Sequence, residues 1–240
     1  MISIDTVYQK VLAIANKEQR GYITPQEFNL LAEQAQMLIF EQYFYDLNQF
    51  NRAGGNGMEY ADMMNILEEK VAVFEKQNID MSVVSGSTAT LPTNVYRLGT
   101  VFYNNGTSSI IVEKVSNKEI QRMNQASLYK PTEARPVYTR ASETKIVIYP
   151  TSATPAYSTS SLNCNNIVKP TAPKWTYTIV NEQALYNNTA PDKQDFEIHA
   201  SDEEDLVYKI LELSGIIMNK PGLVQLADKE EMQGVQNEKM

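Results

Sequence analysis

The sequence predicts an α+β fold: a helical bundle of N-terminal helices plus a C-terminal helix, a β-rich insertion domain between them, and a polar C-terminal tail. Three observations predict it. Residues 1–78 are poor in Pro and Thr and rich in Leu, Met, Gln, Glu and aromatics. Residues 79–195 turn to Thr, Ser, Asn, Pro, Val and Tyr, the composition of short strands joined by turns. A helical pattern returns over 196–222, and the arm 223–240 is polar enough to lack packed structure of its own.

The first helix starts after Ser3, presents Val7, Val11, Leu12 and Ala15 on one stripe and stops near Gly21. The second carries the clearest local signal in the chain. Thr24 is placed as an N-cap, Pro25 stands at the first helical position with its φ preset, and Glu27 completes a capping box. Ile23 and Phe28 flank it as a hydrophobic staple.

This helix runs to about Asn51, on the order of 40 Å at a rise of about 1.5 Å per residue. Met37, Leu38, Ile39, Phe40, Tyr43, Phe44, Tyr45, Leu47 and Phe50 spread over nearly its whole circumference at about 100° per residue. Such a helix needs cover on several faces, and a small domain draws part of that cover from other subunits. Ala53-Gly54-Gly55-Asn56-Gly57 then breaks the pattern before a third helix with Met64, Leu67, Val71 and Phe74 on one side.

In the insertion, Val95–Tyr103 and Ile110–Val115 flank Asn105-Gly106 and read as a hairpin, because Asn-Gly supplies the positive φ of a tight turn. Ser116 with Glu119 is a second capping box, opening a short helix with Ile120 and Met123. Pro136–Thr139 and Lys145–Tyr149 read as a strand pair and Trp175–Val180 as a further strand. Thr151–Asn166, nearly all small and polar, reads as a loop. The closing helix opens at Ser201 with Asp202, Glu203 and Glu204 in its first turn. It carries Leu206, Val207, Ile210, Leu213 and Ile217 inward and ends at Asn219-Lys220-Pro221-Gly222.

Composition excludes several functions. One Cys, one His and one Trp among 240 residues leave no intramolecular disulfide and no zinc site built on several Cys or His ligands. No stretch approaches the roughly 20 apolar residues that cross a bilayer, and the N-terminus lacks the pattern of an export signal, so a soluble product without membrane partners is expected. A formal charge of −8 argues against tight, sequence-independent wrapping of nucleic acid.

The candidate chemical sites are weak. His199, Ser201 and Asp202 have triad letters, but adjacency in sequence is not convergence in space, and Ser201 and Asp202 suit a helix start. Gly54, Gly55 and Gly57 follow a helix and lack the Lys-Ser or Lys-Thr of a phosphate loop. Asp46, Asn48 and Gly57 share letters with a calcium loop, yet Phe50 stands where an oxygen ligand is needed. Asp62, Glu68 and Glu69 read as a solvated helix face. No catalytic residue, cofactor or metal is expected, and the chain is read as no enzyme. Most information lies in the aromatics: Phe40, Tyr43, Phe44, Tyr45 and Phe50 lack the interleaved Lys and Arg of a stacking platform for nucleic acid, and are read as a subunit interface.

With this order established, the chain resembles the head-to-tail adaptor, or connector ring, proteins of short-tailed bacteriophages, and is most similar in wording to the ring proteins of crAss-like phages. The residues that carry the resemblance are Asn16-Lys17-Glu18-Gln19-Arg20-Gly21-Tyr22-Ile23-Thr24-Pro25-Gln26-Glu27-Phe28-Asn29, Lys169-Pro170-Thr171-Ala172-Pro173-Lys174-Trp175, and Asp195-Phe196-Glu197-Ile198-His199-Ala200-Ser201-Asp202-Glu203-Glu204 running into Leu206–Ile217. It covers about the first 220 residues, and Ala172 and Ala200 depart from the Lys or Pro, and the Pro, expected there.

The resemblance implies a virion protein at the head-tail junction, assembled in the host bacterial cytoplasm as a homo-oligomeric, twelve-fold ring beneath the portal. Such a ring extends the channel for double-stranded DNA without binding it specifically, and is a platform for the next tail or ring protein. It also implies a C-terminal arm on the portal protein, for which Leu223, Val224, Leu226, Met232 and Met240 are the expected docking residues. The alternative from the Tyr-, Thr- and Asn-rich insertion is a host- or glycan-binding module of a tail fibre or adhesin, which predicts glycan binding by the insertion and gives no reason for a helix apolar on every side.

Overall fold

The computed structural model describes residues 1–16, 23–53, 58–104, 106–151, 157 and 161–217. They form an α+β fold that divides into a helical unit, residues 1–73 with 170–240, and a β-rich unit, residues 74–169.

In the helical unit the capping box forms as its letters predict. The Thr24 backbone N–H donates to Glu27 Oε2 at 2.9 Å and the Glu27 N–H donates back to Thr24 Oγ1 at 3.3 Å. Helix α2, Pro25–Ala53, starts there, after α1, Ile4–Asn16. The Thr24 backbone and hydroxyl hydrogen bonds hold the Glu27 carboxyl below its ordinary 4.5. A depressed carboxyl contributes stability that is complete above the unfolded-state value and is lost as pH falls through the lower folded-state value. Fraying of the start of α2 is therefore expected in acid, below about pH 4.5. In Glu27→Gln that pH dependence should be flattened, as read by amide hydrogen exchange over the first turn.

Helix α1 buries Ile4, Val7, Tyr8, Val11 and Ala15, and α5, Glu203–Ile217, buries Leu206, Val207, Ile210 and Leu211. Helix α5 packs on both α1 and α2, and α3, Met58–Ala72, packs on α2. Phe74, read as part of the third helix, lies beyond its end, and its carbonyl accepts the Val168 N–H at 2.9 Å within the β-rich unit. The residues of the glycine-rich break at 54–57 and those of 17–22 lie outside the described residues.

The second boundary of the insertion falls at Lys169, where composition placed it at 195. Side-chain amides explain the difference. Asn29 on α2 donates through Nδ2 to the Trp175 carbonyl at 3.1 Å and accepts the Trp175 N–H at 2.8 Å. Buried Gln36 donates to the Thr171 carbonyl at 2.7 Å and accepts the Glu197 N–H at 3.1 Å. Both residues thus act as backbone substitutes, binding strand-like segments to a helix. Ile2 and Phe196 exchange backbone hydrogen bonds at 3.2 and 3.1 Å, fixing the N-terminus to the same stretch. The expected strand after Trp175 becomes one arm of a hairpin, Tyr177–Val180 against Gln183–Tyr186, closed by Asn181 and Glu182, both at positive φ.

The β-rich unit holds an eight-stranded mixed sheet. Its strands are β1 Glu75–Asp80, β2 Ser82–Ser85, β3 Thr88–Thr90, β4 Val95–Asn104, β5 Ser109–Lys114, β6 Val137–Arg140, β7 Lys145–Tyr149 and β8 Leu162–Val168. They are ordered β1-β8-β4-β5-β6-β7-β3-β2. The β4–β5 hairpin and the β6–β7 pair form as expected. β5 and β6 alone run parallel, so a crossover is required, and α4, Asn117–Gln125, supplies it. The Glu119 N–H donates to its N-cap, Ser116 Oγ, at 3.2 Å. The core gathers Met81, Val101, Val112, Ile146, Ile148 and Leu162.

The reading of Thr151–Asn166 as a loop is corrected over its last part, since β8 pairs with both β1 and β4. Leu162 and Cys164 point into the core, while Asn163 on the other face donates to Asp80 Oδ1 at 2.7 Å and accepts from Asn104 Nδ2 at 3.2 Å. Polar residues hydrogen-bonded across three strands occupy a central strand that their propensity disfavours. Where β4 passes β8, a Cβ on Gly99 would stand 2.9 Å from the Asn165 carbonyl oxygen. Gly99→Ala is expected to destabilise the unit by about 1–3 kcal/mol, the range for overpacking, with a lower denaturation midpoint as the readout.

Candidate functional site

The sequence brings polar side chains into one buried cluster of the helical unit. Lys70, in the last turn of α3, places Nζ 2.9 Å from Asp202 Oδ1, and both side chains are almost wholly buried. The Tyr43 hydroxyl of α2 donates to Asp202 Oδ2, and the Ser201 hydroxyl to Oδ1 at 2.9 Å. Lys70 Nζ also lies 5.8 Å from the centroid of the Tyr43 ring. Asp202 thus ends the 3-10 turn Ala200–Asp202 ahead of α5 and ties α2, α3 and α5 together. Its expected role in the first turn of the closing helix is replaced by this buried one.

Three donors on one carboxylate leave it poorly placed as a general base, since its acceptor capacity is already engaged. His199 Nδ1 lies 2.8 Å from Ser201 Oγ, so the triad letters do meet in space. Their order is wrong for nucleophilic catalysis: serine stands between histidine and carboxylate, whereas the base must bridge the other two. His199 instead caps the turn, accepting the Ser201 N–H at 3.3 Å. The adjoining cavity, lined by Leu38, Ile39, Gln42 and Asp46 beside Lys70 and Asp202, holds about 150 Å³. That is below the range of small-molecule sites and suits water or a single side chain.

Other chemistry-bearing residues are similarly engaged. Burial in the β-rich core pushes the Cys164 thiol up to about 11, far from the thiolate a nucleophile needs. Trp175 stacks against Tyr177 at 5.8 Å and Tyr186 at 5.6 Å, and its Nε1–H donates to Asp5 Oδ1 at 3.0 Å. At 4% exposure it has no open face for a sugar ring. Among the described residues no group of three or more His, Cys, Asp or Glu is placed to hold a metal ion, and no helix is long and apolar enough to cross a membrane.

The aromatics read as an interface divide. Phe40 is 0% and Tyr43 4% exposed, both covered within the helical unit, so neither has surface left for a neighbouring subunit. Phe44 is half-buried with its ring 5.0 Å from that of Phe40. Tyr45 is 63% exposed, and the side chain of Phe50 lies outside the described residues, as do Leu223, Val224, Leu226, Met232 and Met240. The correction has a direct cause: α3, α5 and the 170–199 segment cover the Phe40 side of α2, which the sequence left without cover. The outward apolar residues are instead Leu30, Leu38 and Tyr45. Residue spacing could have found this stripe, because steps of eight and seven residues return to within about 80° on a helix.

No protein-family model matches the sequence, and no curated protein matches it.

Proposed function

We propose that the chain is a non-enzymatic structural protein of a bacteriophage virion, forming a homo-oligomeric ring between portal and tail. The ring extends the DNA channel, serves as a platform for the next tail or ring protein, and has twelve copies by resemblance to connector rings. Supporting this reading are the quoted sequence resemblance and the helical unit interrupted by a β-rich unit.

The observation that carries it is the outward stripe of α2. The helix fills its inner face within its own unit, yet still displays Leu30 at 70% and Tyr45 at 63% exposure. Large apolar side chains aligned on one solvent face suit a contact with another subunit. A contact between two different patches closes into a ring when its rotation permits. Electron microscopy of the purified chain mixed with its portal should show cyclic particles, and their absence sinks the proposal. Removing residues 223–240 should leave ring closure intact and weaken portal attachment in native mass measurements.

A further inference from the structure

The formal charge of −8 conceals a division. The β-rich unit carries ten Lys and Arg against six Asp and Glu, a net +4, and the helical unit eleven against twenty-three, a net −12. All ten cations of the β-rich unit are exposed, and among the described residues none has a carboxylate within ion-pair distance. The ion pairs Lys10–Glu203, Lys70–Asp202, Lys174–Asp192, Lys193–Asp195 and Lys209–Glu212 all belong to the helical unit.

Within the β-rich unit the most exposed apolar side chains, Leu128 and Tyr129, lie just after α4 among cations. Ile120 is the buried residue of α4. Lys118 and Arg122, four residues apart, therefore share its outer side. The chain leaving α4 then exposes Leu128 at 84% and Tyr129 at 69%, followed by exposed Lys130. On the helical unit the outward face of α2 carries exposed Gln34 and Glu41 among Leu30, Leu38 and Tyr45, with no Lys or Arg between residues 30 and 45.

We infer that the Lys118–Lys130 knob of one copy docks on the outward face of α2 in a second copy, Leu128 and Tyr129 against its apolar stripe and the cations against its acidic surroundings. The two patches differ, so each copy uses one of each and the contact is head-to-tail. Opposite charge sets partner choice and register, and burial of the apolar residues supplies affinity. The inference names the subunit contact of the proposed ring and rests on that reading for closure, but not for the contact itself.

The test uses the full chain and two variants, one with Lys118→Glu, Arg122→Glu and Lys130→Glu, the other with Gln34→Lys and Glu41→Lys, followed by sedimentation velocity and electron microscopy. Wild type should associate, and association should weaken at least about tenfold from about 0.1 M to about 1 M salt, as the Debye length falls from about 10 Å to about 3 Å. Each variant alone should stay monomeric with unchanged circular dichroism. Their mixture should recover assembly, because each then meets its complement, a result no misfolded variant could give. Assembly of the triple variant at wild-type strength, a wild type monomeric at every salt, or failure of the mixture overturns the inference. So does loss of duplex DNA binding by the triple variant with assembly unchanged, which assigns the cations to nucleic acid. Rings formed by both wild type and triple variant would refute this contact and leave the ring standing. Open, salt-sensitive chains that the triple variant abolishes would do the reverse.

Discussion

Asp202→Asn is expected to destabilise the helical unit by about 3–5 kcal/mol, the cost of leaving one member of a buried ion pair without its partner. Lys70 is the residue that loses this counter-charge. Its ammonium is buried beside the Tyr43 ring, and the carboxylate at 2.9 Å is its counter-charge. The asparagine keeps the shape but removes the charge, and its single amide oxygen can accept on the Tyr43 side or the Ser201 side but not on both. Replacing both members, as Lys70→Met with Asp202→Leu, should cost far less than either single change, since no unpaired charge remains. Urea denaturation of wild type, Lys70→Met, Asp202→Leu and the double variant completes the cycle, with Asp202→Asn measured beside them. Equal and additive losses would refute the coupling, and a double variant as unstable as Asp202→Asn would place the damage in the hydroxyls instead.

Phe40→Ala should cost about 3–5 kcal/mol, the usual range for emptying a large aromatic site in a core. Phe40 is fully buried on the inner side of α2, with the Phe44 ring edge-on to it. The loss should therefore appear in the denaturation midpoint of the monomer, independent of protein concentration. Tyr45→Ala should do the reverse. Its ring is mostly in solvent, so monomer stability should change within about 0.5 kcal/mol, as for most surface substitutions. Any effect should appear as weaker association. If Phe40→Ala left the midpoint unchanged and altered only assembly, the assignment of Phe40 to the core would be wrong.

These two aromatics show how far one dimension of information reaches. The capping box at Thr24 and the hairpin of β4 and β5 were legible because their signals lie within a few residues and act through local geometry. The helix α2 was legible as an element, but not the side that its own unit covers. That side depends on α3, α5 and on residues 170–199, the last more than a hundred positions away. Asn29 and Gln36 look like ordinary polar helix residues. Only the return of the chain past α2 makes them the groups that bind Trp175, Thr171 and Glu197.

The same distinction applies to the buried cluster. Lys70 has the composition of a solvated helix end, and Asp202 that of a helix start. No spacing rule joins residues 132 positions apart, so neither could be selected before the helices were packed. His199 and Ser201 were visible by adjacency, and adjacency was enough to make a cap but not to set the order that catalysis requires.

By itself the sequence determined the class of fold, the helices with strong caps, the strands with clear turns and the narrow range of side-chain chemistry, because propensity, capping and composition act over short distances. Only the tertiary structure decided that β8 is a central strand, that Phe40 and Tyr43 are core while Leu30 and Tyr45 face outward, and that acidic and basic residues separate between two units. Each of those outcomes depends on which distant segment covers a surface, and burial is a property of the packed chain rather than of any residue in it.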